Sequence, residues 1–396
     1  MDNQMEKISL LFTIVILSSC ISQVQLTNIP VESIDRANEN LYQNTEDLIS
    51  PKNIALLLPL DSFRNESAAI RDGFIASQFL DNNNSLIRIY NTDKLGSEIA
   101  YKKAEQDGAE FIVGPLLKNN IVNISTMVKS TPTLALNFIE NNEHINNLFQ
   151  FALAPEDEST EIAEYAIIND EKKAVVLTPK NEWGDRVYNS FKQRYESLGG
   201  RILDHQIYDL ANNNFSQIVE ILNIDTSNRR YQRLLANIRI PLEFSPRRRQ
   251  DIDLIFFAAT PETASQASPL LRYHFADDPL KTYSTSNIFD PSSLNNNDLE
   301  GIVFSDIPFI FEKNKLNGEL KLIIEKFWEE NSIKNIRFYA MGIDAQRIVN
   351  HLFNNIYSIN NISGITGNLY LDNTGKIHRE LVMVEISNGE PRLIDQ

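Results

Sequence analysis

The sequence predicts an α/β protein of two lobes, each a mainly parallel sheet flanked by helices. Three observations carry this reading. Short apolar runs occur without polar alternation, amphipathic helical segments separate them, and the same alternation restarts after Pro155. A run that is apolar at every position marks a strand covered on both faces, which is the situation of a parallel strand.

The elements follow in order. Ile54-Ala-Leu-Leu-Leu58, stopped by Pro59, reads as the first buried strand. Ala68, Ile70, Phe74 and Phe79 recur at helical spacing and predict a helix over Ser67–Phe79. A strand at Leu86–Tyr90, a helix at Ser97–Gln106, and strands at Glu110–Val113 and Thr133–Leu136 complete the first series. The second series begins with a strand at Ala174–Leu177 and a helix at Asp185–Leu198 that Gly199-Gly200 terminates. Strands at Ile202–Tyr208 and Asp253–Phe257 follow, with Pro261 near the start of the next helix. Gly301–Phe304 is a strand, and helices are expected at about 317–331 and 338–355. The end reads as strands at Thr366–Leu371 and Glu380–Ile386, with turns at Asp372-Asn-Thr-Gly375 and Asn388-Gly389.

With 53 acidic against 37 basic residues the net charge is −16, which excludes a nucleic-acid partner because phosphate binding needs a basic field. The single cysteine, Cys20, rules out an intramolecular disulfide. It follows Leu10–Leu17 and Ser18-Ser19, an apolar run far shorter than the ~20 residues of a membrane span. The segment resembles a bacterial lipoprotein signal. On that basis residues 1–19 are expected to be removed, with translation starting at Met1 or Met5. Cys20 would carry the acyl chains and be the sole attachment to the membrane. Ile21, not Asp, in the next position implies outer-membrane sorting, and residues 20–51 would tether a domain at 52–396.

No nucleophile elbow, zinc-protease pair or phosphate loop occurs, and the five histidines lack metal-ligand spacing. The reading is a protein without catalytic residues, metal or cofactor. Two sets of residues stand out. Between 229 and 249 seven arginines face one acid, an island that includes Arg247, Arg248 and Arg249 and suits contact with a carboxylate-bearing partner. A solvated face with arginine stems over apolar surface explains it equally. The strand-to-helix loops offer the cleft candidates Asp61, Ser62, Gly114, Asn137, Trp183, Asp185 and Ser286, with Asp185 also placed to cap its helix.

Several segments are specific enough to compare. Ile54-Ala-Leu-Leu-Leu-Pro-Leu60, Phe111-Ile-Val-Gly-Pro-Leu-Leu-Lys118 and Phe151-Ala-Leu-Ala-Pro-Glu-Asp-Glu158 are three. Pro246-Arg-Arg-Arg-Gln-Asp-Ile-Asp-Leu-Ile-Phe-Phe257 and Tyr339-Ala-Met-Gly-Ile-Asp-Ala345 are more distinctive. Together they resemble, collinearly from about residue 52, the C-terminal domain of the LpoA-type penicillin-binding-protein activators. The resemblance implies a type I periplasmic-binding-protein fold whose chain crosses between lobes three times. Lobe one is expected at about 52–151 plus 284–345, and lobe two at about 152–283 plus 346–396. It also implies an outer-membrane lipoprotein facing the periplasm that stimulates a class A penicillin-binding protein without chemistry of its own. Longer members carry a helical N-terminal domain where this sequence has the polar tether. The alternative from the residues alone is a receptor holding an amino acid or small peptide between the lobes.

Overall fold

The chain changes sheet three times, and its element order shows where. The computed structural model describes residues 48–394 apart from 82–83, 141–142, 210–215, 239, 241–242, 246, 276–279, 294–295, 329–332 and 355–359. Cys20, the signal, most of the tether and Arg239 lie outside the described residues. Lobe one opens with β1 (Asn53–Leu58), α1 (Arg64–Leu80), β2 (Leu86–Asn91), α2 (Thr92–Leu95) and α3 (Ser97–Gln106), then β3 (Phe111–Val113), α4 (Lys118–Ser125), β4 (Thr133–Ala135) and β5 (Leu148–Phe151). Lobe two takes α5 (Pro155–Ile168), β6 (Lys173–Pro179), α6 (Glu182–Ser197), β7 (Arg201–Tyr208), α7 (Ser216–Ile221), α8 (Ile224–Ile238), β8 (Leu254–Phe257), α9 (Pro261–Phe275), β9 (Lys281–Thr285) and β10 (Ile302–Asp306). The chain returns to lobe one through α10 (Pro308–Phe311), α11 (Lys315–Phe327), α12 (Ile336–Phe353), β11 (Asn360–Ser363), β12 (Asn368–Leu371) and β13 (Lys376–Glu380). It ends in lobe two with β14 (Val382–Ser387) and β15 (Glu390–Leu393).

The lobe-one sheet has the order β11-β12-β13-β5-β4-β3-β1-β2, and the lobe-two sheet β15-β14-β10-β9-β8-β6-β7. β1 runs parallel to β2 and β3, with Leu56 opposite Ile89 and Val113. β6 runs parallel to β7 and β8. The apolar run of β1 is buried from Ile54 to Leu58, as a strand with helices on both faces must be. Each sheet has a core on both faces.

The predicted bilobal α/β fold is what the structure shows, but the lobe boundaries shift. β10 pairs with β9 and β14, so 302–306 belongs to lobe two and not lobe one. β13 pairs with β5, so the chain stays in lobe one until 380 and does not leave it at 345. Helix periodicity cannot reveal which sheet a helix covers. That depends on strand pairing, with β9 and β14 for β10 and with the sequence-distant β5 for β13. The crossings therefore fall at about 152–154, 307 and 381.

α1 and α12 cross closely in lobe one. A Cβ on Gly73 would sit 2.1 Å from the Tyr339 carbonyl oxygen, and one on Gly342 2.0 Å from that of Ile70. Each glycine makes room for the other helix's backbone. Two residues on, Asp344 accepts from Ile365 N (3.0 Å), Thr366 N (2.7 Å) and Thr366 Oγ1 (2.6 Å), fixing the turn before β12. The Met-Gly-Ile-Asp-Ala segment thus has a packing role. The body begins before the expected residue 52: Ile49 exchanges backbone bonds with the Asn354 side chain at 3.2 and 2.8 Å.

Candidate functional site

The three crossings bring 154–158, 305–307 and 378–381 together, and charged groups are buried there. Pro155 occupies the first turn of α5, with Glu156, Asp157 and Glu158 beside it, all favourable at a helix N-terminus. Glu158 turns inward and accepts from Ser286 N (2.9 Å) and Ser286 Oγ (3.0 Å). Arg379, 2% exposed, donates to the Ala154 carbonyl at 3.1 Å and lies 4.0 Å from Glu158 and 3.6 Å from Asp157. Asp157 also binds His378 Nδ1 at 2.8 Å. At the second crossing Arg337, in the first turn of α12, holds Asp306 through bonds of 2.9 and 2.5 Å and donates to the Ser286 and Phe289 carbonyls at 3.2 Å.

These groups ionise abnormally. Burial pushes the Glu158 carboxyl up to about 7 against the pull of Arg379. Burial lifts Glu161 likewise to about 7, and the like charges of Glu164, Glu380 and Asp157 add to it. Burial would lower His378, but Asp157 and Asp372 outweigh it and hold the imidazole above its ordinary value.

Beside this network lies a polar groove of about 510 Å³. Two helix faces at i, i+3, i+4, i+7 spacing form one wall: Asp157, Thr160, Glu161 and Glu164 on α5, and Arg186, Asn189, Ser190 and Gln193 on α6. Tyr370, His378 and Glu380 of β12 and β13 form the other. Among the described residues, no group of three or more His, Cys, Asp and Glu side chains is placed to hold a metal ion.

The sequence candidates fall in separate places. Asp61 and Ser62 donate their backbone N–H groups to Asp93 Oδ2 at 2.8 and 2.9 Å, so their loop is folded onto α2. Gly114, at φ +99°, lets its loop pass the Leu57 carbonyl, which a Cβ would meet at 2.2 Å. Asn137 bonds to the Leu116 carbonyl at 3.2 Å. Trp183 packs on the lobe-two core. Asp185 is exposed in the first turn of α6 and does not cap it; Asn181 does, accepting from Gly184 N at 2.8 Å. Asn181 lies one residue before the helix, which starts three residues earlier than its apolar pattern. Only Ser286 reaches the junction network, as the partner of Glu158.

The arginine island divides. Arg247 is exposed, Arg248 is 8% exposed with a bond to the Arg249 carbonyl at 2.9 Å, and Arg249 forks onto Asp251 at 2.7 and 2.8 Å. Arg249 N also donates to the Leu222 carbonyl at 2.9 Å, so the segment clamps the end of α7. Sequence reasoning missed Glu158, Arg337 and Arg379. Pro155 followed by three acids was a helix-start signal that could have located α5 and Glu158; nothing local marks the two arginines.

Two α/β lobes joined by three adjacent crossings define a periplasmic-binding-protein-like body. The family model described as "LppC putative lipoprotein" matches residues 41–389, and the chain belongs to that family. "Penicillin-binding protein activator LpoA" of Photobacterium profundum is 27% identical over 345 residues, covering 83% of this chain and 55% of its own length. The same-named protein of Vibrio cholerae is 27% identical over 350 residues, covering 86% and 57%. The chain thus spans about half the length of the curated relatives it matches. The LpoA (YraM) C-domain of Haemophilus influenzae, described as a regulator of PBP1A, superposes with TM-score 0.68 at 24% identity over 87% of this chain and all of that one. An ABC transporter substrate-binding protein from Sphaerobacter thermophilus superposes with TM-score 0.62 at 15% identity, covering 87% and 96%. Both likenesses concern the fold.

Proposed function

We propose that this protein is an outer-membrane lipoprotein, held by acyl chains on Cys20 and facing the periplasm, that binds and activates a class A penicillin-binding protein. It raises transpeptidation without catalysis of its own. Family membership across 41–389, with relatives that carry the activator name, is the observation that carries this reading. Activation requires tighter binding to the active form of the synthase than to the inactive one. A rigid recognition body suits that task. Separating the lobes here would strip Arg337 from Asp306 and Arg379 from Glu158, leaving buried charges unpaired. Exposed Arg247 is a candidate contact with the synthase. Pull-down and cross-linking of the purified protein with the cognate synthase test the proposal. Saturable capture with increased peptide cross-linking supports it; no capture at micromolar concentration refutes it.

A further inference from the structure

We propose that the outer half of α8 is a docking helix that seats in an apolar pocket rimmed by carboxylates on the penicillin-binding protein. This rests on the activator reading and says where on the chain that partner binds. The apolar positions of α8, Ile224, Tyr231, Leu234, Leu235 and Ile238, share one face at helical spacing. That face starts on the body and ends off it. Ile224 packs in the lobe-two core, and Ser227 on the same side is buried. Further along the cover is lost: Leu234 is 45% exposed and Ile238 43%. Past the helix Ile240 is 58% exposed, and Phe244, stacked on Tyr231 with ring centroids 4.0 Å apart, is 37% exposed. Single exposed apolar side chains are ordinary; a row of them continuing a buried stripe marks an interaction site.

The charges around the stripe select the partner. Between 229 and 249 the chain has seven arginines, no lysine and one acid, within a net charge of −16. Arg230 stands one helical turn before Leu234. Arg247 is held beside the base of the stripe, its N–H donating to Ser227 Oγ at 3.1 Å. Arg230, Arg233 and Arg247 are exposed, and among the described residues they enter no ion pair. A guanidinium grips a carboxylate through two parallel bonds. Aromatic and arginine side chains with few lysines and acids are also the composition of a protein interface. An anionic bilayer would set one broad negative plane against the whole acidic body, whereas a carboxylate-rimmed pocket meets the arginine-bearing helix alone.

Titration of the full chain against the purified cognate synthase tests this, with vesicles of phosphatidylethanolamine and phosphatidylglycerol as a second probe. The double variant Leu234→Ser with Ile238→Ser is expected to weaken synthase binding about tenfold or more at unchanged melting temperature. Arg230→Gln with Arg247→Gln should weaken it as well and flatten its decline with added salt. The Cys20→Ser chain, which cannot be acylated, should not sediment with the vesicles. If the native chain binds the synthase and both double variants bind as tightly, the docking helix is refuted while the activator reading stands. No binding by the native chain removes both. Vesicle sedimentation that the two serine substitutions abolish would assign the helix to lipid and overturn the proposal.

Discussion

Arg337 of lobe one and Asp306 of lobe two form a paired, buried contact across the second crossing, at 2.9 and 2.5 Å. Asp306 is 1% exposed, so its charge has no recourse to water. Arg337→Met removes the partner and leaves that carboxylate stranded. The expected loss is about 3–5 kcal/mol, read as a lower urea midpoint. Arg337→Lys should recover part of it, because an ammonium restores the charge but not the fork.

Stability should fall as pH rises through neutrality. Glu158 and Glu161 are lifted from 4.5 to about 7, and His378 is held above 6.5. Groups raised on folding contribute stability that is complete below their unfolded pKa and lost as pH climbs through the folded one. For the two carboxyls that window runs from about 4.5 to about 7; for His378 it begins near 6.5. Glu156 and Asp372 are lowered, so their stability is lost only as pH falls below the usual carboxylate range. Glu158→Gln cannot ionise, so its urea midpoint should decline less between pH 5 and pH 8 than that of the native protein.

Gly342→Ala places a methyl group where the Ile70 carbonyl already stands. The helices must separate or the chain must bend. Overpacking of this kind costs about 1–3 kcal/mol or more, and a lowered melting temperature would show it. Gly318→Ala on α11 meets no atom within 4 Å and should be neutral or stabilising.

Arg247→Glu should leave stability within about 0.5 kcal/mol, because the side chain is exposed. Weaker capture of the synthase by this variant at unchanged melting temperature is the expected signature of a contact residue. Asp251→Ala, which frees Arg249, is expected to cost no more than about 1 kcal/mol.

The parts of the fold set by local pattern were readable. β1 needed only its apolar run, and α3 only its periodicity. β5 is four residues with a buried glutamine in its middle, too short for a pattern to emerge. α5 was hidden because its buried face includes Asp157, Glu158 and Ser159, polar residues that periodicity discounts. The same residues build the junction, so what concealed the helix also concealed the site. Arg379 meets Ala154 across 225 positions and Arg337 meets Asp306 across 31. Such partners exist only once both sheets have formed. The arginine island was visible as charge, but its division into exposed Arg247, buried Arg248 and paired Arg249 follows from where 247–249 docks on α7 and its neighbours.

The proposed activation of a class A penicillin-binding protein is open to direct assay. Its most direct test is peptide cross-linking by the purified cognate synthase on lipid-linked precursor, with and without the full chain. A saturable increase in cross-linked product is expected as the protein is added. Cross-linking unchanged at saturating protein, while glycan chains still form, would contradict it.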